Sequence, residues 1–327
     1  MERLGRDAAA VTFEVAAAVR DRYAFRAGQW VTVRTRVGAQ ELRRSYSVCS
    51  PAGGPLRIGV RERPGGGRVS SWLVRGLAAG DRVEVGEPAG TFGAGQPGGP
   101  ALFVAAGAGI TPVLSVVATR LRDPRARIRL VQVDREPASR MFAEEVDRLH
   151  AAHADRFSLT SVWTRTPGAA RPSPDGWRGL LAAGGPLSGL TGVWLCGPEG
   201  LVDRLRPVLA SLGVPHRRVH TELFDAAPPT VPPVEGTSTV RVLSRGAVTT
   251  TTVPRSTWLL DAARAQGTDV PFSCLGGMCG ACRARVVEGE VDMVANHQLS
   301  AAEVAAGSVL TCRTRPVGPS VTVDFDR

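Results

Sequence analysis

The sequence predicts a multidomain chain of three successive folds: a small antiparallel β-barrel, a parallel-sheet α/β domain, and a third block holding four of the six cysteines. Three observations carry this. Apolar and polar residues alternate in short segments over 1–97, and strand-like and helical runs alternate over 98–225. A proline-rich stretch then sets both apart from the cysteine-rich C-terminal block. With 327 residues there is room for two or three domains, and 43% hydrophobic residues suffice for ordinary cores.

In the first block "VTVRTRV", "LRIGV" and "DRVEVGEP" alternate as half-buried strands do, with Gly/Pro turns between them. In the second, the strand-like runs "ALFVAA", "IRLVQV", "FSLTSVW" and "GVWLC" are interleaved with "MFAEEVDRLHAAHA" and "GLVDRLRPVLASLG", the pattern of a parallel sheet with crossover helices. The uncharged run Pro100 to Thr119 is long enough to resemble a membrane span. Glycine and proline cut it into a buried strand, the turn "GAGITP" and the first turns of a helix, so no membrane is expected. "DAAPPTVPPVEGTS" offers little to pack and reads as a semi-rigid linker over 226–238, ahead of a third domain over 239–327.

The formal net charge is +10, and all forty basic residues are arginine. Without lysine there is no Walker A loop, no kinase strand lysine and no Schiff-base chemistry. From 237 onward nine arginines face eight acids, +1 of the total, which leaves +9 upstream of the cysteines. The arginines form no basic runs with interleaved aromatics, so nucleic acid is not expected as a partner, whereas anionic cofactor phosphates are. The start "MERLGRDAAAVTFEV" has charges of both signs and no apolar core, unlike a signal peptide, so reduced cysteines and a cytoplasmic location are expected.

Cys274, Cys279, Cys282 and Cys312 read C-x4-C-x2-C-x29-C, the spacing of a plant-type ferredoxin holding a [2Fe–2S] cluster. Four thiolates neutralise the irons, and Gly276, Gly277 and Gly280 let the loop bend while leaving backbone N–H groups to face the sulfides. A structural zinc site prefers two short cysteine pairs, and disulfides need an oxidising compartment.

Upstream, "RRSYSVCS" at 43–50 follows "FRAGQW", and "GGRVSSWL" lies at 66–73. In this context Arg44, Ser45, Tyr46 and Ser47 resemble the flavin motif of the ferredoxin–NADP reductase superfamily, with Gly67 and Ser70 in its companion. The resemblance implies FAD: an arginine for a pyrophosphate oxygen, a tyrosine ring on the isoalloxazine, a serine hydroxyl at its edge. "GAGITP" follows a strand and opens a helix, with Gly107 and Gly109 bringing a pyrophosphate to bare backbone, Thr111 suited to the N-cap and Pro112 to the first helical position. The superfamily uses this form for its nicotinamide dinucleotide. "WLCGPEGL" repeats the strand–turn–helix logic, and the resemblance places Cys196, with Gly197 and Pro198, beside the nicotinamide.

In "WTRT", Arg165 stands where related reductases carry a Ser-Arg pair for the 2′-phosphate, with Thr164 replacing the serine, which favours NADPH with NADH possible. Arg135 in "VDREPASRMF" is a second candidate, although Asp134 beside it would repel a 2′-phosphate if it points inward. "HTELFD" matches the family's E-x-F stretch, making Glu222 and Phe224 candidates for the flavin edge and a lid, or simply for closing the last strand. Ser47, Cys196 and Glu222 are therefore the candidate catalytic residues.

The order of motifs is similar to that of the reductase components of multicomponent oxygenases, with the third block a β-grasp ferredoxin domain. Through "VEGEVDMVANHQLS", "GSVLTCRTRPV" and "VTVDFD" it most resembles the reductase subunits of phenylacetyl-CoA epoxidases, with ring- and steroid-hydroxylating reductases as rivals. The resemblance implies electrons passing from NADPH to FAD, singly to the cluster, and out to an oxygenase component. An FMN reductase of the phthalate-dioxygenase type, an electron-transfer subunit of dihydroorotate dehydrogenase and a non-enzymatic iron–sulfur sensor are the other classes weighed. The FAD-like "GGRVSSWL", the x29 spacing and the two nucleotide motifs respectively argue against them.

Overall fold

The computed structural model describes residues 1–37, 40–63, 65–93, 98–168, 171–224, 232 and 234–326. The chain divides into two compact units, Met1–Leu223 and Phe224–Arg327.

The first unit opens with β1 (Glu2–Arg3), β2 (Ala8–Thr12), β3 (Trp30–Val37), β4 (Gln40–Ser47), β5 (Arg57–Arg61), the short helix α1 (Arg68–Ser71) and β6 (Glu84–Val85). They form two three-stranded antiparallel sheets, β1-β2-β5 and β4-β3-β6, bridged to each other at Val48↔Ile58, and a Trp30↔Ala89 bridge adds to the pairing of β3 beyond β6. The period of two explains the layering: Val31 and Val33 are fully buried with Ile58, Val60 and Leu73 while Thr32 between the valines is half-buried, and Gly59, between Ile58 and Val60, is itself buried where a Cβ would stand 2.5 Å from Thr111 Cγ2. "DRVEVGEP" is a strand only at Glu84–Val85, because Gly86 and Pro88 break the run. Gly86 and Ala89 still donate to the carbonyls of Thr32 and Trp30.

The chain continues as β7 (Pro100–Ala106), α2 (Ile110–Arg120), β8 (Arg127–Asp134), α3 (Ala143–Ala152), β9 (Phe157–Trp163), α4 (Pro174–Ala182), β10 (Gly192–Gly197), α5 (Glu199–Ser211) and β11 (Val219–Leu223). All five strands run parallel in the order β11-β10-β7-β8-β9. The strand order reverses between β7 and β10, and in open α/β sheets ligands bind at the carboxyl ends of strands at such a point. The uncharged run from Pro100 is thus a buried strand and a buried helix, and no helix among the described residues is long and apolar enough to cross a membrane. Helix α2 is also fastened to the barrel: Ser115 Oγ donates to the Ser50 carbonyl at 2.6 Å, and Ala52 N–H donates to Thr119 Oγ1 at 2.9 Å.

The second unit contains β12 (Thr237–Ser244), β13 (Ala247–Pro254), α6 (Leu259–Ala265), β14 (Arg283–Met293), α7 (Ala301–Ala305), β15 (Ser308–Leu310) and β16 (Thr314–Asp324). The mixed sheet has the order β13-β12-β16-β14-β15, with β12 and β16 parallel. Helix α6 buries Leu259, Leu260, Ala262 and Ala263 among Val240, Val242, Val321 and Val323, the α+β arrangement of a β-grasp domain. Of the proline-rich stretch, 225–231 and 233 lie outside the described residues. Pro232 accepts a 2.7 Å hydrogen bond from Arg315, whose side chain is 8% exposed and also binds Asp292 at 2.9 Å.

Candidate functional site

At the switch point two glycine turns lie against each other. A Cβ on Gly109 would stand 2.1 Å from the Cys196 carbonyl oxygen, and one on Gly197 would stand 2.8 Å from Ala106 Cβ. Only bare backbone lets the ends of β7 and β10 close to this distance. Gly107 has φ +56, in the left-handed region that favours glycine. Helix α2 starts earlier than the sequence suggests, because a 3₁₀ turn at Gly107–Gly109 leads directly into it. Gly109, not Thr111, is the N-cap. Thr111 and Pro112 lie buried inside the first turn, Thr111 Oγ1 donates to the Ala108 carbonyl at 2.9 Å, and Pro112 occupies the third helical position. The missing N–H of Pro112 is still one of those a helix start leaves unpaired.

Beside these turns the barrel and the parallel sheet share a polar contact. Cys196 on β10 is in register with Glu222 on β11, and Ser47 Oγ at the end of β4 donates to Glu222 Oε1 at 2.9 Å. Burial pushes the Glu222 carboxyl up to about 7, with the Ser47 hydroxyl opposing the shift. Burial, and then the charge of Glu222, drive the Cys196 thiol well above its usual range, so it is a neutral thiol and not a nucleophile. The three residues proposed as catalytic from sequence are therefore brought together from three strands.

Arg44 is exposed and donates to the Arg43 carbonyl at 2.7 Å, while Tyr46, two residues along β4, is half-buried against the barrel core. Helix α1 packs against β4, and its turn is closed by Ser70 Oγ, which donates to the Gly67 carbonyl at 3.0 Å and accepts from Arg63 N–H at 3.2 Å. A cation, an aromatic ring, a hydroxyl and a tight glycine turn on neighbouring elements suit a flavin nucleotide.

The residues after β8 and β9 behave differently from one another. Arg135 is held by Asp7 at 3.0 Å, whereas Arg165, two residues past β9, is exposed, its backbone N–H donating at 2.8 Å to the Arg135 carbonyl and its side chain making no hydrogen bond or ion pair among the described residues. The Asp134 side chain is fully buried, within 3.4 Å of Arg61 and 3.5 Å of Gln132, and burial raises it to about 6 against the pull of Arg61. Arg61, on β5, was not singled out in the sequence. Its guanidinium lies 2.9 Å from where a Cβ on Gly107 would be, placing a cation on the dinucleotide turn. Pro198 caps α5, and Phe224 is 40% exposed at the start of the second unit.

In the second unit the four cysteines associate as two pairs, Cys274 with Cys279 and Cys282 with Cys312. Gly276 and Cys279 N–H groups point at Cys274 Sγ from 3.3 and 3.4 Å. The hydrogen bond from Cys279 and these N–H groups draw the Cys274 thiol down against its burial. Positive φ is carried by Leu275, Gly277 and Gly280 rather than by Gly276. Among the described residues no three His, Cys, Asp or Glu side chains converge as around a single ion. Two thiol pairs fit a two-iron cluster, in which each iron takes two thiolates.

Family models match each part of the chain: an oxidoreductase FAD-binding domain at 1–93, an oxidoreductase NAD-binding domain at 103–206 and a 2Fe-2S iron-sulfur cluster binding domain at 243–317. The chain is 32% identical to the E component of the 1,2-phenylacetyl-CoA epoxidase of Escherichia coli K12 over 342 residues, 98% of this chain and 94% of the relative. The chain belongs to the ferredoxin–NADP reductase-like oxygenase reductases with a C-terminal [2Fe–2S] domain. This reductase is also 32% identical to the ferredoxin reductase component of a Rhodococcus rhodochrous 3-ketosteroid-9-alpha-monooxygenase, over 98% of this chain and 93% of the other. Among solved structures it is similar to an intact type IV self-sufficient cytochrome P450 monooxygenase, with TM-score 0.76 and 26% identity. That match covers 98% of the reductase but 40% of the P450 chain. Phthalate dioxygenase reductase shares the fold, with TM-score 0.61 at 24% identity over 99% of this chain and 95% of the other. The chain is an oxidoreductase with FAD-binding, NAD-binding and [2Fe–2S] domains.

Proposed function

We propose that this reductase takes electrons from NADPH through FAD and a [2Fe–2S] cluster to the oxygenase component of a phenylacetyl-CoA epoxidase, in the cytoplasm. The observation that carries the electron-entry half is the Ser47–Glu222 hydrogen bond beside Cys196, which joins the flavin-motif strand to the nicotinamide-motif strands at one point. Arg44, Tyr46, Ser47, Gly67 and Ser70 hold the flavin nucleotide. Gly107, Gly109, Thr111 and Pro112 shape the turn for the dinucleotide, and Cys196, Gly197 and Pro198 border the nicotinamide. Cys274, Cys279, Cys282 and Cys312 ligate the irons. The chemistry a bound flavin would supply is acceptance of one hydride, two electrons at once, and their release one at a time, as a [2Fe–2S] cluster requires. The protein's part is to orient: the neutral Cys196 and the Ser47-held Glu222 leave a protein-walled, weakly charged edge where the two rings meet.

NADPH is favoured because Arg165 stands exposed where a 2′-phosphate is expected, and because Asp134 is buried against Arg61 instead of facing outward. Arg135, already engaged by Asp7, has a secondary role. Arg165→Glu is expected to weaken NADPH far more than NADH, since a charge-assisted hydrogen bond contributes about 1.5–3 kcal/mol and the new carboxylate repels phosphate. Equal losses in KM for the two cofactors would remove Arg165 as the discriminator. The partner is tested by reconstitution with purified oxygenase components, scoring NADPH-coupled product. The steroid-hydroxylating reading, supported by the equal identity to that relative, predicts coupling to a steroid oxygenase instead.

A further inference from the structure

Two of the four ligand cysteines are followed directly by arginine, and the structure treats the two arginines in opposite ways. Arg283, after Cys282, is 47% exposed, pairs with Glu303 at 2.6 Å and donates to Ser308 Oγ at 3.2 Å. Arg313, after Cys312, runs inward. Its Cγ lies 3.2 Å from where a Cβ on Gly277 would stand, so its stem lies against the cysteine loop, and its guanidinium sits 5.5 Å above the Trp258 ring. The Arg313 Nε is buried with no hydrogen-bond partner, and no ion pair involves this residue among the described residues. Arg315, next along β16, is neutralised by Asp292 at 2.9 Å. Arg313 is thus a cation held against the iron-binding loop on an aromatic face, with no carboxylate cancelling it. A cation–π contact orients a guanidinium but leaves its net charge in place.

Two ferric irons, two sulfides and four thiolates sum to a charge of 2−, which becomes 3− when one electron arrives. A cation fixed nearby in a poorly solvated environment stabilises the more negative state. We infer that Arg313 sets the reduction potential of the iron–sulfur site, raising it so that single electrons pass readily from flavin to cluster. The inference rests on the assignment of Cys274, Cys279, Cys282 and Cys312 as cluster ligands. The paired, exposed Arg283 serves as its internal control: an exposed charge already neutralised by Glu303 acts weakly through water.

The experiment is a reductive titration of the purified full-length holoprotein, following the cluster by EPR, for wild type, Arg313→Gln, Arg313→Lys and Arg283→Gln. At the potential where wild type is half reduced, Arg313→Gln is expected to raise the oxidised-to-reduced ratio about tenfold, a shift of about 59 mV to more negative potential for a one-electron couple. Arg313→Lys, which keeps the charge, should stay close to wild type, and Arg283→Gln should move by less than half as much as Arg313→Gln. If Arg313→Gln purifies without iron, Arg313→Met, which retains an unbranched stem against Gly277, carries the same comparison. The inference is overturned if removing the Arg313 charge shifts the midpoint no further than removing that of Arg283, or if Arg313→Lys shifts it as far as the neutral variants do. A wild-type protein with neither iron nor a [2Fe–2S] signal would overturn the cysteine assignment itself, and the Arg313 inference with it.

Discussion

Glu222 stands where burial opposes its charge and a single hydroxyl supports it, so its carboxyl is raised to about 7 from a usual 4.5. The folded protein therefore binds a proton more tightly at this residue than the unfolded chain does. The resulting stabilisation is complete below pH about 4.5, falls as pH rises, and is lost above pH about 7. Asp134, raised to about 6, adds a contribution of the same sign over a narrower window. Glu222→Gln keeps the shape of the protonated acid and removes its titration. Urea unfolding at pH 5 and pH 8 should show the variant gaining on wild type by on the order of 2 kcal/mol at the higher pH, after discounting for partial exposure. An advantage that does not change with pH would mean that Glu222 titrates normally. The same substitution also reports on function: flavin should remain bound while hydride transfer loses its dependence on pH near 7.

The strand ends at the switch point depend on glycine in a way that distinguishes neighbouring glycines. Gly109→Ala would drive a Cβ to 2.1 Å from the Cys196 carbonyl oxygen, and backbone cannot yield as a side-chain tip can. A loss of about 2–3 kcal/mol is expected, with weakened dinucleotide binding. Gly179, exposed in the middle of α4, has open space within 4 Å of where its Cβ would stand, and should instead gain about 0.5–1 kcal/mol on replacement by alanine. Thermal unfolding of the two variants checks both signs. Four of the five parallel strands are legible in the sequence as short strand-like runs ended by turns, and "FSLTSVW" coincides with β9 residue for residue, whereas β11, "VHTEL", has no apolar run to mark it. The [2Fe–2S] domain is legible because the spacing of its cysteines is rigid. Long-range contacts are not. The Arg61–Asp134 pair links residues 73 positions apart, nothing local in "RIGVR" marks it, and the inward turn of Arg313 depends on Trp258 from another element. The start of α2 escapes the sequence for a different reason: local rules favour threonine as a cap, whereas the 3₁₀ turn before it has already set the helical path.

Taken whole, the chain is two separately cored bodies. The cores of the first unit draw on residues from Ala8 to Cys196, and the core of the second on residues from Val240 to Val323. Domains with their own cores fold on their own, so damage to the cluster should leave the nucleotide-binding half intact. Cys312→Ser tests this. Serine is a poor iron ligand because its hydroxyl is far less acidic than a thiol, so the cluster should be lost or badly perturbed. FAD should stay bound in the first unit, and NADPH oxidation with ferricyanide, which takes electrons directly from flavin, should continue near the wild-type rate. Reduction of cytochrome c or of an oxygenase partner should collapse, since those acceptors need electrons from the cluster. If both activities fall together while FAD remains bound, the cluster does not lie simply downstream of the flavin. The linear route would then give way to one in which the second unit helps to form the hydride-transfer site.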